Sequence, residues 1–303
     1  MSRPVKTVVQ PNQPVLSILC LTYNHAAFIA DALQSFLAQV TDFDFEIIVA
    51  DDCSTDGTLE VVEKFRQRAG PRLRVLSSAV NLGVTRNFRR AHLACRGRFI
   101  AICEGDDFWR GTRKLQTQVD FLERHPDYVL TYHDATIVDD DGESDTRQLP
   151  SRLQCDASRS QLIATRPIST LTVCFRNVLG EVPREFDHAP ALDLCLWSLL
   201  GQHGKGKYVS DIEPAGYRVH AGGVFSTQTA LDRKVMTAQS LLSLSRVYAR
   251  QDRRDVSETV LLKATVQAAA ALGVVASINL VITTLVRLIG RSMLAAWNRL
   301  ARR

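Results

Sequence analysis

The sequence predicts an α/β protein in which a mostly parallel sheet carries helices on both faces and is followed by a C-terminal helical region. Short apolar runs alternate with amphipathic segments over the first 125 residues, the pattern of a parallel sheet covered on both sides. Three of the apolar runs also end in loops rich in polar residues. Ligands bind beyond the carboxyl ends of strands in such sheets, so we expect a site at that edge.

Four strand–helix pairs are predicted in the first part of the chain. Continuous apolar runs indicate buried strands, whereas apolar residues three and four positions apart indicate helices. The predicted strands are 15–22, 45–50, 73–78 and 98–103. The helices that follow them are 26–39, 57–70, 84–95 and 112–125. Gly70-Pro71 and Pro126 end the second and fourth helices, because proline cannot continue a helix.

The pattern changes after Tyr128. Segments 128–138 and 169–176 predict strands, and 191–204 predicts a helix. The acidic segment 139–145 is expected to be a solvated loop. From about residue 230 the pattern is helical to the end of the chain.

Charge and cysteine usage narrow the class of protein. The net charge of +5 is too small to indicate nucleic-acid binding, and we expect no nucleic-acid partner. The seven cysteines are odd in number and show no C-x-x-C spacing, which indicates reduced thiols and neither a disulfide framework nor a zinc site. The N-terminus has no long apolar core. We therefore expect no signal peptide and a cytoplasmic protein.

The stretch FIAICEGDDFW places three carboxylates, Glu104, Asp106 and Asp107, directly after a predicted strand. One aspartate could serve a turn or cap a helix, but that does not explain three neighbouring acids. Crowded carboxylates repel one another unless a cation offsets the charge, and a hard divalent metal can bridge such oxygens to a phosphate. The chain has neither a P-loop nor a G-x-G-x-x-G motif, so a nucleotide held by loops and a metal is the remaining expectation.

Several segments together resemble the family 2 glycosyltransferases of GT-A fold, in particular those that build bacterial surface polysaccharides. They are LSILCLTYNHAAFIADALQSFLAQ, EIIVADDCSTDGTLEVVEKF, NLGVTRNFRRAH, GRFIAICEGDDFWRGTRKLQTQVDFLERHPDY and ALDLCLWSLLGQHGKGKYVSDIEPAGYRVHAGGVFS. The resemblance covers roughly residues 14–226. It implies a catalytic domain, 1–226, with a nucleotide-sugar half of about 14–125 and an acceptor half of about 126–226, followed by a helical region, 227–303.

The resemblance also implies roles for individual residues. Thr22, Tyr23 and Asp52 would surround the nucleotide base, Asp106 would hold the ribose side, Asp107 and His220 would ligate Mn²⁺ or Mg²⁺, and Asp193 would be the catalytic base. Cys53 departs from the family pattern, since many members have glycine there, and this affects the expected shape of the turn.

Each of these residues also has an ordinary structural interpretation. Tyr23 could be a strand-end aromatic, His220 a structural histidine and Asp193 a first-turn acid whose pKa the helix dipole keeps low. Asp51 or Asp56 could cap the helix near Gly57, and we favour Asp56 as the cap. Two arginines, Arg86 and Arg90, fit a diphosphate contact and a solvated helix face equally well.

The implied activity is inverting, metal-dependent transfer of a sugar from a nucleotide sugar, with a UDP-sugar expected, to a hydroxyl of a glycan on a lipid carrier. Two alternatives are a sugar-nucleotide nucleotidyltransferase and a non-catalytic nucleotide-sugar-binding module. Residues 264–286 carry no charge and are long enough to span a bilayer, to lie on it, or to pack against protein. We therefore expect a cytoplasmic protein that can be peripheral at the inner face of the cell membrane.

Overall fold

The computed structural model describes residues 13–139, 142–223 and 227–273. The chain divides into two compact units. The first comprises the described residues of Met1–Val182 and Leu196–Gly222, and the second those of Pro183–Cys195 and Gly223–Arg303. The predicted domain boundary after residue 226 lies close to Gly222, and Pro183–Cys195 additionally belongs to the second unit.

The described residues form strands and helices that alternate as far as Arg124. The strands are β1 (Leu16–Thr22), β2 (Phe45–Asp51), β3 (Leu73–Leu76), β4 (Phe99–Ile102), β5 (Tyr128–Tyr132), β6 (Ala135–Asp139), β7 (Gly142–Arg147), β8 (Cys174–Arg176), β9 (Lys205–Tyr208) and β10 (Ala215–Arg218). The helices are α1 (Ile29–Leu37), α2 (Thr58–Ala69), α3 (Val84–Ala94), α4 (Lys114–Arg124), α5 (Arg159–Ile163), α6 (Leu192–Gly201), α7 (Ala230–Arg250) and α8 (Arg254–Leu272).

The first unit contains a seven-stranded sheet with the order β3-β2-β1-β4-β8-β5-β9. Neighbouring strands are parallel except around β8, which is antiparallel to both β4 and β5. The predicted α/β class with a mostly parallel sheet is confirmed. In the register of β1 and β2, Thr22 faces Asp51, so both strands end at the same edge. β4 is the other neighbour of β1, and the three polar loops therefore meet.

Apolar side chains explain why this sheet forms. All seven residues of β1 and of β2 are buried, as expected for parallel strands covered on both faces. Helix α1 contributes Ala32, Leu33 and Phe36 to the same core. Most of the seven cysteines are buried.

Glu46 is a buried carboxylate that ties the central strands together. Its oxygens accept hydrogen bonds from the Ser17 hydroxyl (2.8 Å), from the backbone N–H (2.8 Å) and guanidinium (2.7 Å) of Arg96, and from Arg74 (3.1 Å). Burial alone would raise the pKa of Glu46, but the hydrogen bonds, above all those from Arg96, lower it below its ordinary value. A fully partnered carboxylate therefore joins β1, β2 and the turn before β4.

Three predicted elements in the later part of the chain need correction. The single strand 128–138 is wrong: β5 belongs to the large sheet, and β6 lies in a three-stranded sheet of order β10-β6-β7. Asp134 stabilises the break, because its carboxylate accepts from the N–H groups of Ala135 and Leu149. The acidic loop 139–145 is also wrong in part, since β7 begins at Gly142 and pairs with β6. Segment 169–176 forms a 3₁₀ turn over Thr170–Thr172 before β8 begins.

In the second unit, α7 and α8 pack against each other, and the Ser257 hydroxyl donates to the Ser245 carbonyl across this pair at 2.8 Å. The helical pattern predicted from residue 230 is interrupted after Arg250, where Asp252 adopts a φ of +57°. The uncharged segment 264–286 begins in α8 and continues outside the described residues. None of the helices in the described ranges has the length and apolar character that a membrane span requires.

Candidate functional site

The loop after β1 is held against the loop after β2. The backbone N–H of Asn24 donates to the Ser54 hydroxyl, and the Asn24 side-chain oxygen accepts from the Thr55 N–H, both at 2.9 Å. The His25 N–H donates to the Thr58 hydroxyl at 2.8 Å. Asn24 has a φ of +54°, a left-handed conformation that asparagine tolerates better than most residues. These bonds fix the position of the His25 backbone and therefore of its Cβ atom.

The two aspartates after β2 have different partners. The Asp51 carboxylate accepts from the Ser54 N–H and hydroxyl. The Asp52 carboxylate is buried and accepts from the N–H groups of Leu82 (2.8 Å) and Gly83 (2.9 Å). Asp52 therefore orders the loop that leads into α3. Its predicted contact with a nucleotide base stays a prediction and would use the remaining lone pairs of the carboxylate.

Asp56 and Cys53 complete this loop. Asp56 accepts from the N–H groups of Ala26 and Thr58, so it satisfies a donor at the start of α2, the structural role favoured for it. Cys53 adopts a φ of +69°. The turn thus keeps a left-handed conformation that glycine adopts without strain, although cysteine replaces the glycine of the family pattern.

Arg90 has a structural role that neither interpretation of the sequence included. Its guanidinium donates to the Asn87 side chain and to the backbone carbonyls of Ser77 and Asp51. These contacts brace α3 against the end of β2.

The acidic loop after β4 approaches the end of β1 closely. A Cβ atom on Gly105 would lie 2.8 Å from the Thr22 hydroxyl oxygen and from the Ile29 side chain, so only glycine fits there. The Gly105 N–H donates to the Leu21 carbonyl at 2.8 Å. The glycine of EGDD thereby brings Asp106 and Asp107 next to the loop that carries His25.

Arg218, at the end of β10, holds both aspartates. Its backbone N–H donates to Oδ1 of Asp107 at 2.8 Å, and its guanidinium donates to the Asp106 carbonyl at 3.0 Å. The guanidinium also pairs with Asp31 of α1 and lies over the rings of Phe28 and Phe108. The small sheet is therefore fixed to the acidic loop.

Asp106 lies between two histidines. Its Oδ2 is 3.1 Å from Nε2 of His220 and 3.6 Å from Nε2 of His25. One ligand atom from each of these three residues can be chosen so that all lie within 4.8 Å of one another. Among the described residues, this is a group whose nitrogen and oxygen atoms could surround one metal ion. His25 comes from the loop after β1, Asp106 from the loop after β4, and His220 from the segment after β10.

The electrostatics of the group favour metal binding. Burial would raise the pKa of Asp106, but the hydrogen bond from His220 and, at acid pH, the charge of a protonated His25 lower it. Burial lowers the pKa of His25, against the opposing effect of Asp106, so the imidazole is neutral with a free lone pair at neutral pH. Burial, together with the charges of Asp106 and Glu104, raises the pKa of Asp107. An ion of positive charge would relieve this repulsion.

Six of the seven predicted site residues lie in the first unit. Thr22 is buried and its hydroxyl has no hydrogen-bond partner among the described residues, whereas Tyr23 is 46% exposed. The structure brings Asp106, Asp107 and His220 together, and the roles assigned to them stay predictions. Sequence reasoning missed His25 and Arg218. Both could have been found from their spacing to predicted site residues. His25 is two residues after Tyr23, and Arg218 is two residues before His220, at the end of a strand.

Asp193 lies in the second unit, in the first turn of α6. The expectation that the helix dipole keeps its pKa low is wrong: burial raises the pKa of Asp193 to about 6, although backbone N–H groups at the helix start oppose this. The segment is anchored to α7, because the Ala191 N–H donates to the Ser240 hydroxyl at 2.8 Å. A carboxylate with such a pKa is a stronger proton acceptor than an exposed aspartate and is still ionised at neutral pH.

Comparison with curated proteins gives relatives of two kinds. An uncharacterised protein of Mycobacterium tuberculosis strain H37Rv is 33% identical over 222 residues, which are 72% of this chain and 63% of that protein. The chain thus spans less than two thirds of that relative's length. The poly(ribitol-phosphate) beta-N-acetylglucosaminyltransferase TarS of Staphylococcus aureus strain Mu50 is 34% identical over 118 residues, 38% of this chain and 20% of TarS.

Two solved structures share the fold. The mannosyltransferase PcManGT from Pyrobaculum calidifontis, in complex with GDP-Man and Mn²⁺, superposes with a TM-score of 0.59 at 18% identity and covers 95% of this chain and 84% of its own. Residues 1–349 of S. aureus TarS, in complex with UDP-GlcNAc, superpose with a TM-score of 0.56 at 20% identity over 85% of this chain and 79% of that one. The GT-A fold implied by the sequence resemblance is confirmed.

The model of the family described as glycosyl transferase family 2 matches residues 17–180, just over half of the 303 residues. This range contains the loops after β1, β2 and β4, whereas Asp193 and His220 lie beyond it. The chain therefore belongs to glycosyl transferase family 2.

Proposed function

We propose that the protein transfers a sugar from a nucleoside-diphosphate sugar to an acceptor hydroxyl, with inversion at the anomeric carbon and with a divalent metal. The observation that carries this proposal is the group formed by His25, Asp106 and His220. It lies at the carboxyl edge of the sheet, beside the buried acids Asp52 and Asp107, in a chain of family 2. Ligands bind at this edge in open α/β sheets.

The donor is a UDP-sugar in this proposal. The TarS structure was solved with UDP-GlcNAc and the PcManGT structure with GDP-Man, which supports a nucleotide sugar as the ligand class. Thr22, Tyr23 and Asp52 would surround the base. The exposed ring of Tyr23 offers a face on which a base can stack.

The metal would be Mn²⁺ or Mg²⁺. Asp107 and His220 would supply protein ligands, and Asp106, which the resemblance assigns to the ribose side, lies in the His25–Asp106–His220 group and could be a further ligand. Carboxylate oxygens and imidazole nitrogens fit such an ion. When bound, the ion offsets the negative charge that builds on the departing diphosphate. The residues around it hold its ligands in place: Arg218 fixes Oδ1 of Asp107 and the backbone of Asp106.

Asp193 would act as the general base. The acceptor oxygen forms a bond to the anomeric carbon as the bond from that carbon to the diphosphate oxygen breaks, and the acceptor proton passes to the Asp193 carboxylate. Direct displacement from the face opposite the diphosphate inverts the configuration. The raised pKa of about 6 for Asp193 supports this role, since it strengthens the base while leaving it ionised at pH 7.

The acceptor in this proposal is a growing surface glycan on a lipid carrier at the inner face of the cell membrane. The name of TarS, a poly(ribitol-phosphate) N-acetylglucosaminyltransferase, supports a glycan acceptor. Helix α8 carries exposed apolar side chains, Leu262, Val266 and Leu272, which could contact a membrane surface.

The test is the release of nucleoside diphosphate from UDP-Glc, UDP-GlcNAc and GDP-Man by the purified chain, with Mn²⁺ and with EDTA. We expect metal-dependent release of a diphosphate from one UDP-sugar, and its loss in Asp107→Ala. Pyrophosphate formed from a sugar phosphate and UTP would instead identify a nucleotidyltransferase. Binding of a nucleotide sugar with no turnover, even with glycolipid extracts as acceptors, would identify a binding module.

A further inference from the structure

We propose that His25, in the loop between β1 and α1, is a protein ligand of the divalent metal, so that imidazoles and carboxylates from three separate loops hold the ion. This inference rests on the proposed function only in taking a metal to be bound at this edge of the sheet. It adds a ligand that the motif residues Asp106, Asp107 and His220 did not include.

The position of His25 is fixed before any ion binds. Its backbone N–H donates to the Thr58 hydroxyl at 2.8 Å, and its neighbours Asn24 and Ala26 are bonded to the loop after β2. Its ring lies edge-on to the His220 ring, with centroids 6.0 Å apart. The side chain is only 14% exposed. Ligand atoms within 4.8 Å of one another need little movement to meet around one ion.

The imidazole of His25 has no hydrogen bond among the described residues that would explain why a histidine occupies this position. Its Nε2 is 3.6 Å from Oδ2 of Asp106, which is too long for a hydrogen bond. Its Nδ1 is buried and has no partner in the described part of the chain. A buried polar atom without a partner is costly. A nitrogen and an oxygen 3.6 Å apart are at a separation that two ligand atoms of one metal ion can have.

His220 differs from His25 in its hydrogen bonds. Its Nε2 is bonded to Asp106 at 3.1 Å, and its Nδ1 accepts from the Gly222 N–H at 3.2 Å. With Nδ1 as the acceptor, the Nε2 that faces Asp106 carries the ring proton. As a metal ligand through Nε2, His220 would carry this proton on Nδ1 and could no longer accept from the Gly222 N–H. Metal binding is therefore expected to change the environment of the Gly222 amide.

The donor set has a consequence for metal choice. A second imidazole nitrogen beside the carboxylate oxygens favours first-row transition metals, whereas Mg²⁺ and Ca²⁺ prefer oxygen ligands alone. With His25 as a ligand, Mn²⁺ and Co²⁺ should bind more tightly than Mg²⁺. With a carboxylate at position 25 this preference should weaken.

The experiment measures Mn²⁺ and Co²⁺ binding to the full chain in the presence of UDP, for wild type, His25→Asn and His25→Asp. His125→Asn is the matched control, because His125 is exposed at the end of α4 and outside the site. Calorimetry gives the affinity. Electron spin echo modulation of bound Mn²⁺, with and without ¹⁵N-labelled histidine, counts the imidazoles. Thermal melts establish that each variant is folded.

We expect two coupled imidazole nitrogens in wild type and His125→Asn, and one in His25→Asn, with at least a roughly tenfold loss of Mn²⁺ affinity. His25→Asp should retain Mn²⁺ binding with one nitrogen and bind Mg²⁺ better than wild type does. An unchanged nitrogen count or unchanged affinity in folded His25→Asn would overturn the proposal, as would a failure of wild type to bind Mn²⁺. Diphosphate release in EDTA would show, separately, that sugar transfer occurs without this ion.

Discussion

The backbone N–H of Arg218 donates to Oδ1 of the buried Asp107 at 2.8 Å. Through this bond the end of β10, in the small sheet, holds the acidic loop that follows β4. Burial and the neighbouring carboxylates raise the pKa of Asp107, and the Arg218 N–H is one of the few groups that oppose this. The residue two positions later on the same segment is His220, so one short stretch of chain both supports the acidic loop and supplies an imidazole to it.

The first prediction concerns the Arg218 side chain. Arg218→Met keeps an unbranched apolar side chain but removes the guanidinium, which lies over the Phe28 and Phe108 rings and donates to the Asp106 carbonyl. We expect a loss of about tenfold or more in Mn²⁺-dependent UDP affinity, the usual cost of removing a group that orients metal ligands. Calorimetric titration checks this. Asp31→Asn is the matched control, since the Asp31 side chain is 61% exposed and its pairing with Arg218 should contribute little. Equal affinities for Arg218→Met and wild type would show that the loop holds its shape without the guanidinium.

The second prediction separates chemistry from stability at Asp193. Asp193→Asn should lower kcat by about 10²- to 10⁴-fold, the range of general-base catalysis, with donor Kd nearly unchanged. The pKa of about 6 in the folded chain exceeds the ordinary value of 3.8, so the folded state binds this proton more tightly than the unfolded state. The carboxyl therefore destabilises the fold progressively as the pH rises from 3.8 through about 6, and the full cost is present above that pH. The variant should melt higher than wild type at pH 7.5 but not at pH 4.

The acid limb of the wild-type kcat profile gives a further check on Asp193. It should fall below about pH 6 as the base becomes protonated. Transfer by Asp193→Asn at close to the wild-type rate would leave Asp193 as a helix-start residue without a catalytic role.

The third prediction tests the buried carboxylate of Glu46. Glu46→Gln removes an acceptor from Arg96 and Arg74 and should cost about 2–4 kcal/mol of unfolding free energy, measured by urea denaturation. Glu63→Gln is the control, since Glu63 pairs with Arg66 at the surface, and it should match wild type within error.

Because the pKa of Glu46 is lowered by folding, its contribution is present above pH 4.5 and is lost as the pH falls through the folded-state pKa. A difference between wild type and Glu46→Gln that persists undiminished at pH 3 would contradict this assignment.

The fourth prediction concerns the left-handed residue after Asp52. Cys53 has a φ of +69°, and a residue with a side chain costs about 1–2 kcal/mol of folding free energy in this conformation. Glycine avoids this cost, but part of the gain is lost because glycine makes the unfolded chain more flexible. Cys53→Gly should therefore raise the unfolding free energy by about 0.5–1 kcal/mol, whereas Cys53→Ala should not. Denaturant titrations of the three proteins make the comparison. Stabilisation by alanine equal to that by glycine would point to the thiol, and not the backbone, as the cause.

The sequence predicted the elements whose signal is local. β1, β2 and β4 are continuous apolar runs in a sheet buried on both faces, and their ends were found to within about a residue. β7 was missed because an acidic exposed strand has no apolar alternation, and the sheet that contains it also includes β10, far along the chain. The break between β5 and β6 depends on Asp134 and Leu149, which are also distant in sequence.

In the candidate site, too, local features could be predicted from the sequence, and features that depend on tertiary packing could not. The location of Asp52 and Asp106 at the edge where the strands end could be predicted from the sequence, and their roles stay predictions. The placement of His25 beside Asp106 depends on how two loops pack, and the raised pKa of Asp193 depends on burial, which no local pattern reports. The dipole at the start of α6 was a correct local consideration, but tertiary burial outweighs it.

The most direct test of sugar transfer from a nucleotide sugar is to follow the bond that breaks. The full chain is incubated with its best UDP-sugar and Mg²⁺ and observed by ³¹P and ¹H NMR. We predict that UDP appears as the donor signal decays, because the bond between the anomeric carbon and the diphosphate oxygen is cleaved, and that the first sugar product has the opposite anomeric configuration to the donor. Formation of UMP and a sugar phosphate, or a first product with the donor's configuration, would contradict the proposed inverting transfer.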